Sequence, residues 1–230
     1  AAIAALNGVD PAITLATLPP FARVAAGQMA ATVKIITYGV AGAALARAEA
    51  AASGGLSVAP VTLKSASLIL TEVPGGARRL REKGRAAVGG RLAALGIDLA
   101  ETLVVPHETA ALARAIARAP GAMILILTGS ATSDIRDTGP AALTAAGGRV
   151  ERFGMPVDPG NLLFIGSLGG RPVIGLPGCA RSPALNGADW VMERIACAIP
   201  VTDADIAAMG VGGLLKEPPS RPHPRERGGG

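Results

Sequence analysis

Residues 124–140 read ILILTGSATSDIRDTGP, and this segment decides the fold. Its continuous apolar run predicts a strand that is buried on both faces of a parallel sheet, and the final proline is typical of the first turn of a helix. The polar loop between them therefore follows the carboxyl end of a strand. In open α/β sheets this edge is where ligands bind, because loop amides and helix N-termini converge there.

Strand and helix patterns alternate on both sides of this segment, from residue 61 to residue 200. Predicted strands cover residues 67–70, 102–105, 123–127, 162–167 and 172–176. Predicted helices cover residues 78–95, 108–119, 140–146 and 182–198, and Ser182 is placed to cap the last of them. Such alternation predicts an α/β domain, a three-layer sandwich with a mostly parallel sheet.

Two flanking regions differ from this domain. Residues 1–60 contain strand-like runs at 12–17 and 30–38, which predict a β-rich N-terminal segment, followed by an alanine-rich helix at 41–52. The segment starts without a methionine and has the pattern of a truncated unit. Residues 201–230 lose periodicity and become rich in proline, glycine and charge, so they are expected to form a flexible tail or linker.

Composition narrows the class of protein. The chain has 230 residues, of which 50% are hydrophobic and 2% aromatic, so its core must consist of Ala, Val, Leu and Ile. No apolar run approaches the roughly 20 residues that span a bilayer, and no signal peptide pattern is present. Two cysteines are too few for a disulfide framework and lack metal-ligand spacing. These features predict a cytoplasmic protein without a membrane partner.

The distribution of the basic charge indicates which class of partner to expect. The formal net charge is +5, but the basic residues form no stripe interleaved with aromatic residues. The pattern therefore disfavours nucleic acid and favours a small phosphorylated ligand.

The loop of residues 128–133 is the first candidate site. Its hydroxyls and backbone amides, with little side-chain bulk, allow the close approach that a phosphate or a pterin edge requires. The alternative is an ordinary connection in which small residues merely permit a tight turn. Asp134 and Asp137 could hold Mg²⁺ against a nucleotide phosphate. Alternatively, Asp137 caps the following helix, Asp134 is solvated, and Arg136 pairs with either carboxylate.

Other loops follow strands at the same edge of the sheet. Gly178 would let a ligand approach the backbone, and Arg181 could bind a phosphate through two donors at the start of the last helix. A turn followed by a helix cap is the alternative for residues 175–182. Thr71 and Glu72 end one strand, and residues 107 and 108 end another. These four residues could equally be capping residues.

Three motifs together resemble a known family. Residues 128–140 resemble the T-G-G-T-G-x-x-x-R-D-x-x-P signature of the molybdopterin-binding domain shared by molybdopterin adenylyltransferase and molybdopterin molybdenumtransferase. Arg136 and Asp137 fall on its R-D pair. The Leu-Pro-Gly turn at residues 176–178 resembles a second signature, and Val105-Pro106 resembles the start of its V-P-D-D segment. The resemblance implies that residues 61–200 form a molybdopterin-binding α/β domain.

The chain departs from these signatures at several positions. Ser130 and Thr132 stand where the family has glycine, and His107-Glu108 stands where it has two aspartates. In the adenylyltransferase branch, acidic residues at these places serve Mg²⁺ and nucleotide chemistry. The resemblance therefore implies binding more strongly than catalysis.

A subgroup resembles this chain further. Residues 175–190 and 209–222 are similar to the molybdopterin-binding domain found alone or ahead of a cytidylyltransferase domain in bacterial molybdenum cofactor proteins. This similarity implies a cytidylyltransferase or a molybdenum enzyme as partner. A homo-oligomer is compatible with it.

The resemblance implies a protein that binds molybdopterin or the molybdenum cofactor. One alternative is a Mg²⁺-dependent transferase that moves adenylyl, from a nucleotide, or molybdate onto molybdopterin. Another is a non-catalytic module that delivers the cofactor. Asp134 and Asp137 are the expected catalytic residues, and Asp137 and Glu108 are the expected metal ligands. The residues expected to bind the cofactor are Thr71, Glu72, Thr128, Gly129, Ser130, Ala131, Thr132, Ser133, Arg136, Gly175, Leu176, Pro177, Gly178, Arg181 and Ser182.

Overall fold

A computed structural model describes residues 1–215 of the chain. These residues divide into two compact units, one over Ala1–Pro60 and one that begins at Val61. No helix within residues 1–215 combines the length and the apolar character needed to cross a membrane.

The first unit is a small α/β element. It consists of helix α1 (Ala2–Asn7), strand β1 (Ile13–Thr17), strand β2 (Ala31–Ile35) and helix α2 (Gly42–Ala52). The two strands pair antiparallel, which confirms the strands predicted in this segment. Helix α1 was not predicted, because one and a half turns are too short for helical periodicity to show. Its Leu6 packs with Ile13, Ala44 and Ala48 to form a separate small core.

The second unit contains the following elements. Its strands are β3 (Ser65–Glu72), β4 (Asp98–Pro106), β5 (Met123–Leu127), β6 (Arg149–Phe153), β7 (Phe164–Leu168) and β8 (Arg171–Leu176). Its helices are α3 (Arg78–Ala94), α4 (Thr109–Arg118), α5 (Thr138–Ala145), α6 (Gly187–Ala196) and α7 (Asp203–Ala208), with a 3₁₀ turn over Gly178–Arg181.

The six strands form one sheet in the order β4-β3-β5-β8-β7-β6. The first four strands are parallel, while β7 and β6 run antiparallel to their neighbours. The predicted α/β fold with a mostly parallel sheet is therefore confirmed. Strand β6 was not predicted, because its R-V-E-R-F sequence is charged and lies at an exposed edge.

Helices cover both faces of this sheet. Leu68 and Leu70 of β3 pack with Val88 and Leu92 of α3 and with residues of α6. Ile69, between them in the sequence, packs on the opposite face with residues of α4 and α5. Successive side chains of a strand point to opposite faces, so two cores form around one buried strand. This is the three-layer arrangement.

The last long helix begins later than predicted. Helix α6 starts at Gly187, and Asn186 is its N-cap in a capping box with Asp189. Ser182 instead ends the preceding 3₁₀ turn. The reciprocal bonds between Asn186 and Asp189 satisfy two backbone donors at once, whereas Ser182 could satisfy one. The predicted helix over residues 182–198 is corrected accordingly.

The region predicted as a tail is partly structured. Residues 201–215 contain α7, which has a capping box formed by Thr202 and Asp205. Ile206 and Met209 are buried in the larger core, and the Leu215 amide donates to the Asp158 carbonyl. These contacts join residues 201–215 to the second unit, which corrects the tail prediction for this part. Residues 216–230 of the predicted tail lie outside the described residues.

The order of the strands defines a crevice. The chain passes from β3 through α3 to β4 on one side, and then through α4 to β5 on the other side of β3. The connections after β3 and β5 therefore lead away in opposite directions. In α/β proteins, ligands bind at the carboxyl ends of the two strands at such a switch point, and we call this region the crevice.

Candidate functional site

The loops that follow β3, β5 and β8 meet at this crevice. The Thr71 hydroxyl links the first two. Thr71 is buried near the end of β3, and its Oγ1 accepts the amide hydrogen of Gly129 at 2.8 Å. A Cβ atom on Gly129 would lie 2.7 Å from the carbonyl oxygen of Thr71. Only glycine allows this approach, so residue 129 holds the loop after β5 against the end of β3.

The same hydroxyl also contacts His107, which follows β4. Thr71 Oγ1 lies 2.8 Å from His107 Nδ1, and the His107 amide donates to the Glu72 carbonyl at 2.8 Å. Thr71 Oγ1 accepts a hydrogen from Gly129 and has no other acceptor for its own hydrogen within residues 1–215, so we assign that hydrogen to Nδ1. This assignment puts the proton of the neutral imidazole on Nε2. His107 thereby orients the hydroxyl that holds the β5 loop.

Glu72 is engaged by helix α3. Its carboxylate forms an ion pair with Arg81, and both side chains are partly exposed. Arg81 belongs to a basic run that has the pattern of a solvated helix face, so this contact was not predicted. The pair leaves Glu72 at the crevice with its charge balanced by a neighbour.

The loop after β5 has an inward and an outward side. Thr128 Oγ1 donates to the Ser130 carbonyl at 2.7 Å and lies 3.2 Å from Thr132 Oγ1. Both threonine side chains are buried, whereas Ser130, Ala131 and Ser133 are exposed. The amides of residues 130–132 donate to no group within residues 1–215. The exposed tip of this loop therefore offers free backbone donors.

Asp137 organises the other half of this loop. It is the N-cap residue of α5, yet its carboxylate turns back and accepts the amides of Ser133 at 2.6 Å and Asp134 at 3.0 Å. The Asp134 carboxylate accepts the Arg136 amide at 2.7 Å. Two amides that could bind an anion are thus occupied by the protein's own carboxylate. This arrangement makes Asp137 a structural part of the loop.

Arg181 connects the loop after β8 to the loop after β5. Its Nη2 donates to the Thr128 carbonyl at 2.6 Å and its Nη1 to the Gly178 carbonyl at 3.3 Å. Burial lowers the pKa of Arg181, since the charged form loses hydration. The guanidinium therefore joins two backbone segments instead of extending freely into the crevice.

The residues that end β8 are mostly buried. Gly175 packs against the ring of Phe164, and a Cβ atom at residue 175 would lie 1.8 Å from Phe164 Cε1. Leu176 and Pro177 are buried as well, whereas Gly178 is exposed and Ser182 is half-buried. The exposed part of this predicted site is thus the turn that begins at Gly178.

Arg91 is a residue of this site that sequence reasoning missed. Its Nε donates to Asp189 at 2.5 Å, and both side chains are almost fully buried. Its Nη atoms donate to the carbonyls of Ala180 at 2.9 Å, Ser182 at 2.8 Å and Ala184 at 3.0 Å. The sequence did indicate that Arg91 is buried, because residue 91 lies three positions after the buried Val88 on the apolar stripe of α3.

Asn186 completes this network. Its side-chain amide donates to the Cys179 sulfur at 3.0 Å, and its backbone amide donates to Asp189 at 2.8 Å. The exposed Cys179 thiol is thereby held on the turn that faces the crevice. Arg91, Asp189 and Asn186 together fix the third loop of the site.

The two predicted metal ligands, Glu108 and Asp137, differ in their exposure and in their hydrogen bonds. Glu108 is exposed at the N-cap of α4 and makes no side-chain capping bond, whereas Asp137 accepts the two loop amides. Within residues 1–215, no group of three or more His, Cys, Asp or Glu residues could hold a metal ion. The Mg²⁺ assignment to Asp137 and Glu108 stays a prediction.

Sequence comparison identifies the family of this domain. A family described as a probable molybdopterin binding domain matches residues 65–195, which span all three loops. The chain belongs to this family. Membership supports a role in molybdenum cofactor biosynthesis, while the subgroup associated with a cytidylyltransferase stays a prediction. No curated protein matches the chain.

Two solved structures are similar to this member of the molybdopterin-binding family. The molybdopterin biosynthesis MoeA protein from Pyrococcus horikosii is 22% identical, with a TM-score of 0.44 over 60% of this chain and 36% of that chain. The CinA protein with unknown function from Thermoplasma acidophilum is 18% identical, with a TM-score of 0.36 over 59% of this chain and 96% of that chain. This chain thus spans about a third of the length of the MoeA protein.

Proposed function

We propose that this chain binds molybdopterin or the molybdenum cofactor in the crevice between the carboxyl ends of β3 and β5. Family membership supports the class of ligand, and the switch point of the sheet supports the crevice. One observation carries the proposal. The loop after β5 is held at its base by the Thr71, Asp137 and Arg181 contacts, while its exposed tip keeps the amides of residues 130 and 131 free.

In this proposal the free amides bind the phosphate of the pterin ligand. Oriented backbone N–H groups form a concave site for anions, and the exposed Arg136 adds a positive charge nearby. Arg181 supports the loop indirectly, because its Nη atoms already donate to two carbonyls. The exposed Ser130 and Ser133 hydroxyls are the side-chain groups available to the pterin.

We further propose binding without group transfer. The loop fixes the Asp137 carboxylate, because both amides donate to its Oδ2 and only Oδ1 stays open to a cation. His107-Glu108 also stand where the family signature has two aspartates, and both features support binding over transfer. A protein that binds without transfer would pass the cofactor to a partner. A cytidylyltransferase or a molybdenum enzyme is the class of partner that we propose.

The binding proposal is tested by a charge at the tip of the loop. Ala131→Glu would put a carboxylate beside the free amides, and we expect molybdopterin to bind at least about tenfold more weakly, as measured by calorimetry. Ala131→Gln has nearly the same shape without the charge and should bind within about threefold of the parent. Ala93→Glu, on the exposed side of α3, is the control for net charge. Equal affinity of all three variants and the parent would contradict the proposed site.

The transfer alternative has its own experiment. The protein is incubated with Mg-ATP and molybdopterin, and the pterin fraction is analysed by mass spectrometry for an adenylated product. We expect none, together with unchanged binding when the divalent ion is chelated. A product that disappears in Asp137→Asn would establish the transferase instead.

A further inference from the structure

The outer edge of strand β4 is open. This strand has nine residues, and within residues 1–215 it pairs with β3 alone. A strand paired on one side presents a row of unpaired N–H and C=O groups, which is a template for another strand. Val104 in this strand is 48% exposed. The opposite edge of the sheet, β6, is shorter and carries three charged residues in five, which protects it.

A groove runs along the carboxyl end of this open edge. It has a volume of about 410 Å³ and is lined by Val105, Pro106, Ala111, Arg114, Ala117 and Arg118. The two arginines lie on successive turns of α4 and are exposed. Neither forms an ion pair within the described part of the chain. The groove therefore combines an apolar floor with two cations that lack a counter-charge.

The other end of the same strand is acidic. Asp98 and Glu101 lie in its first half, and the Glu101 side chain forms no hydrogen bond or ion pair within residues 1–215. Leu103 and Val105 face the α4 side of the sheet. Residue 101 lies on that same side, because it follows the bulge at residue 100 and side chains alternate between faces from there to Val105. On this face, the open edge of β4 is therefore acidic at the beginning of the strand, and it is basic at the end of the strand, where the groove lies.

We propose that β4 pairs antiparallel with β4 of a second copy of this chain. A two-fold axis through Leu103 would place Glu101 opposite the partner's Val105, beside the two arginines of the partner's groove. Symmetry produces the same contact twice. The charge pattern thus selects an antiparallel copy, since a parallel copy would set like charges side by side.

The pairing leaves the ligand crevice accessible. The crevice lies between β3 and β5, whereas the proposed interface lies on the far side of β4. The two sheets would join into one continuous sheet of twice six strands. Because the contact is the same surface on both copies, it closes as a dimer and cannot produce a trimer.

Charge reversal tests this interface. Light scattering coupled to size exclusion, over a range of protein concentrations, should give twice the mass of one chain. Glu101→Lys alone, or Arg114→Glu with Arg118→Glu, should raise the dimer dissociation constant at least about tenfold. Arg85→Glu, on the exposed side of α3, should leave it unchanged. Circular dichroism of each variant confirms folding.

Recombining the reversed charges makes the test specific. The chain that carries all three reversals should dimerise again, and a mixture of the two partial variants should form heterodimers, since both contacts between residue 101 and residues 114 and 118 are then complementary. The proposal is overturned by a monomer at all concentrations or by a trimer. It is also overturned by a dimer whose dissociation constant does not change on charge reversal, or by charge-reversed variants that do not dimerise again when they are recombined. In either case, the edge of β4 would be the site of a different partner, such as an acidic extended peptide.

Discussion

Replacing Arg91 by methionine tests whether the third loop depends on a buried ion pair. Methionine keeps most of the aliphatic volume but removes every donor. Asp189 would remain almost fully buried without its cation, and removing one partner of a buried pair costs about 3–5 kcal/mol. The carbonyls of residues 182 and 184 lie near the surface and can bond to water, so their loss of a donor costs little. The carbonyl of the buried Ala180 would also lose this donor and would add to the loss. The loss would be a large fraction of a typical stability of about 5–15 kcal/mol.

The assay is urea unfolding followed by the fluorescence of Trp190, the single tryptophan, which lies on α6 next to Asp189. Arg85→Met on the same helix is the matched control, and this exposed change should stay within about 0.5 kcal/mol. Adding Asp189→Asn to Arg91→Met removes the unpaired charge and should recover part of the loss. A loss below about 1 kcal/mol for Arg91→Met, similar to that of the control, would refute the reasoning.

Three further predictions concern the other contacts of the site. In nitrogen-15 NMR spectra near pH 8, His107, one of two histidines, should carry its proton on Nε2, and a proton on Nδ1 would contradict the hydrogen-bond assignment. Gly129→Ala should destabilise the protein by about 1–3 kcal/mol and weaken ligand binding, because its Cβ would lie 2.7 Å from a β3 carbonyl oxygen. Gly90→Ala in α3 has open space and should stabilise by about 0.5–1 kcal/mol in the same unfolding experiment. Iodoacetamide at neutral pH should label the exposed Cys179 well before Cys197, whose pKa is raised by burial and then by a nearby glutamate. Molybdopterin should protect the first thiol alone, and equal labelling with and without ligand would place the pterin elsewhere.

Local patterns in the sequence were sufficient for the main architecture. The apolar run at residues 123–127 predicted a buried strand because burial on both faces requires a continuous apolar sequence. Strand and helix alternation then predicted the parallel sheet, and the parallel sheet brought the carboxyl ends of its strands to one edge. The loops at residues 128–137 and 177–182 were therefore predicted to lie at the same edge of the sheet, and Arg181 joins them there.

Contacts between distant residues could not be read in this way. Arg91 and Asp189 are separated by 98 positions, and neither carries a local signal that names the other. Helix α7 was missed because two buried residues, Ile206 and Met209, are too few to form a periodic pattern, although they complete the larger core.

The sequence by itself predicted which loops meet at the crevice and, through the family signature, which ligand class to expect. Only the tertiary structure decided what each side chain does there. Asp137 turns back to its own loop, Thr132 is buried, and Thr71 joins two strand ends through one hydroxyl. The physical reason is that a hydroxyl or a carboxylate bonds to whichever donor the folded backbone brings within about 3 Å, and that neighbour is set by the packing of the whole domain.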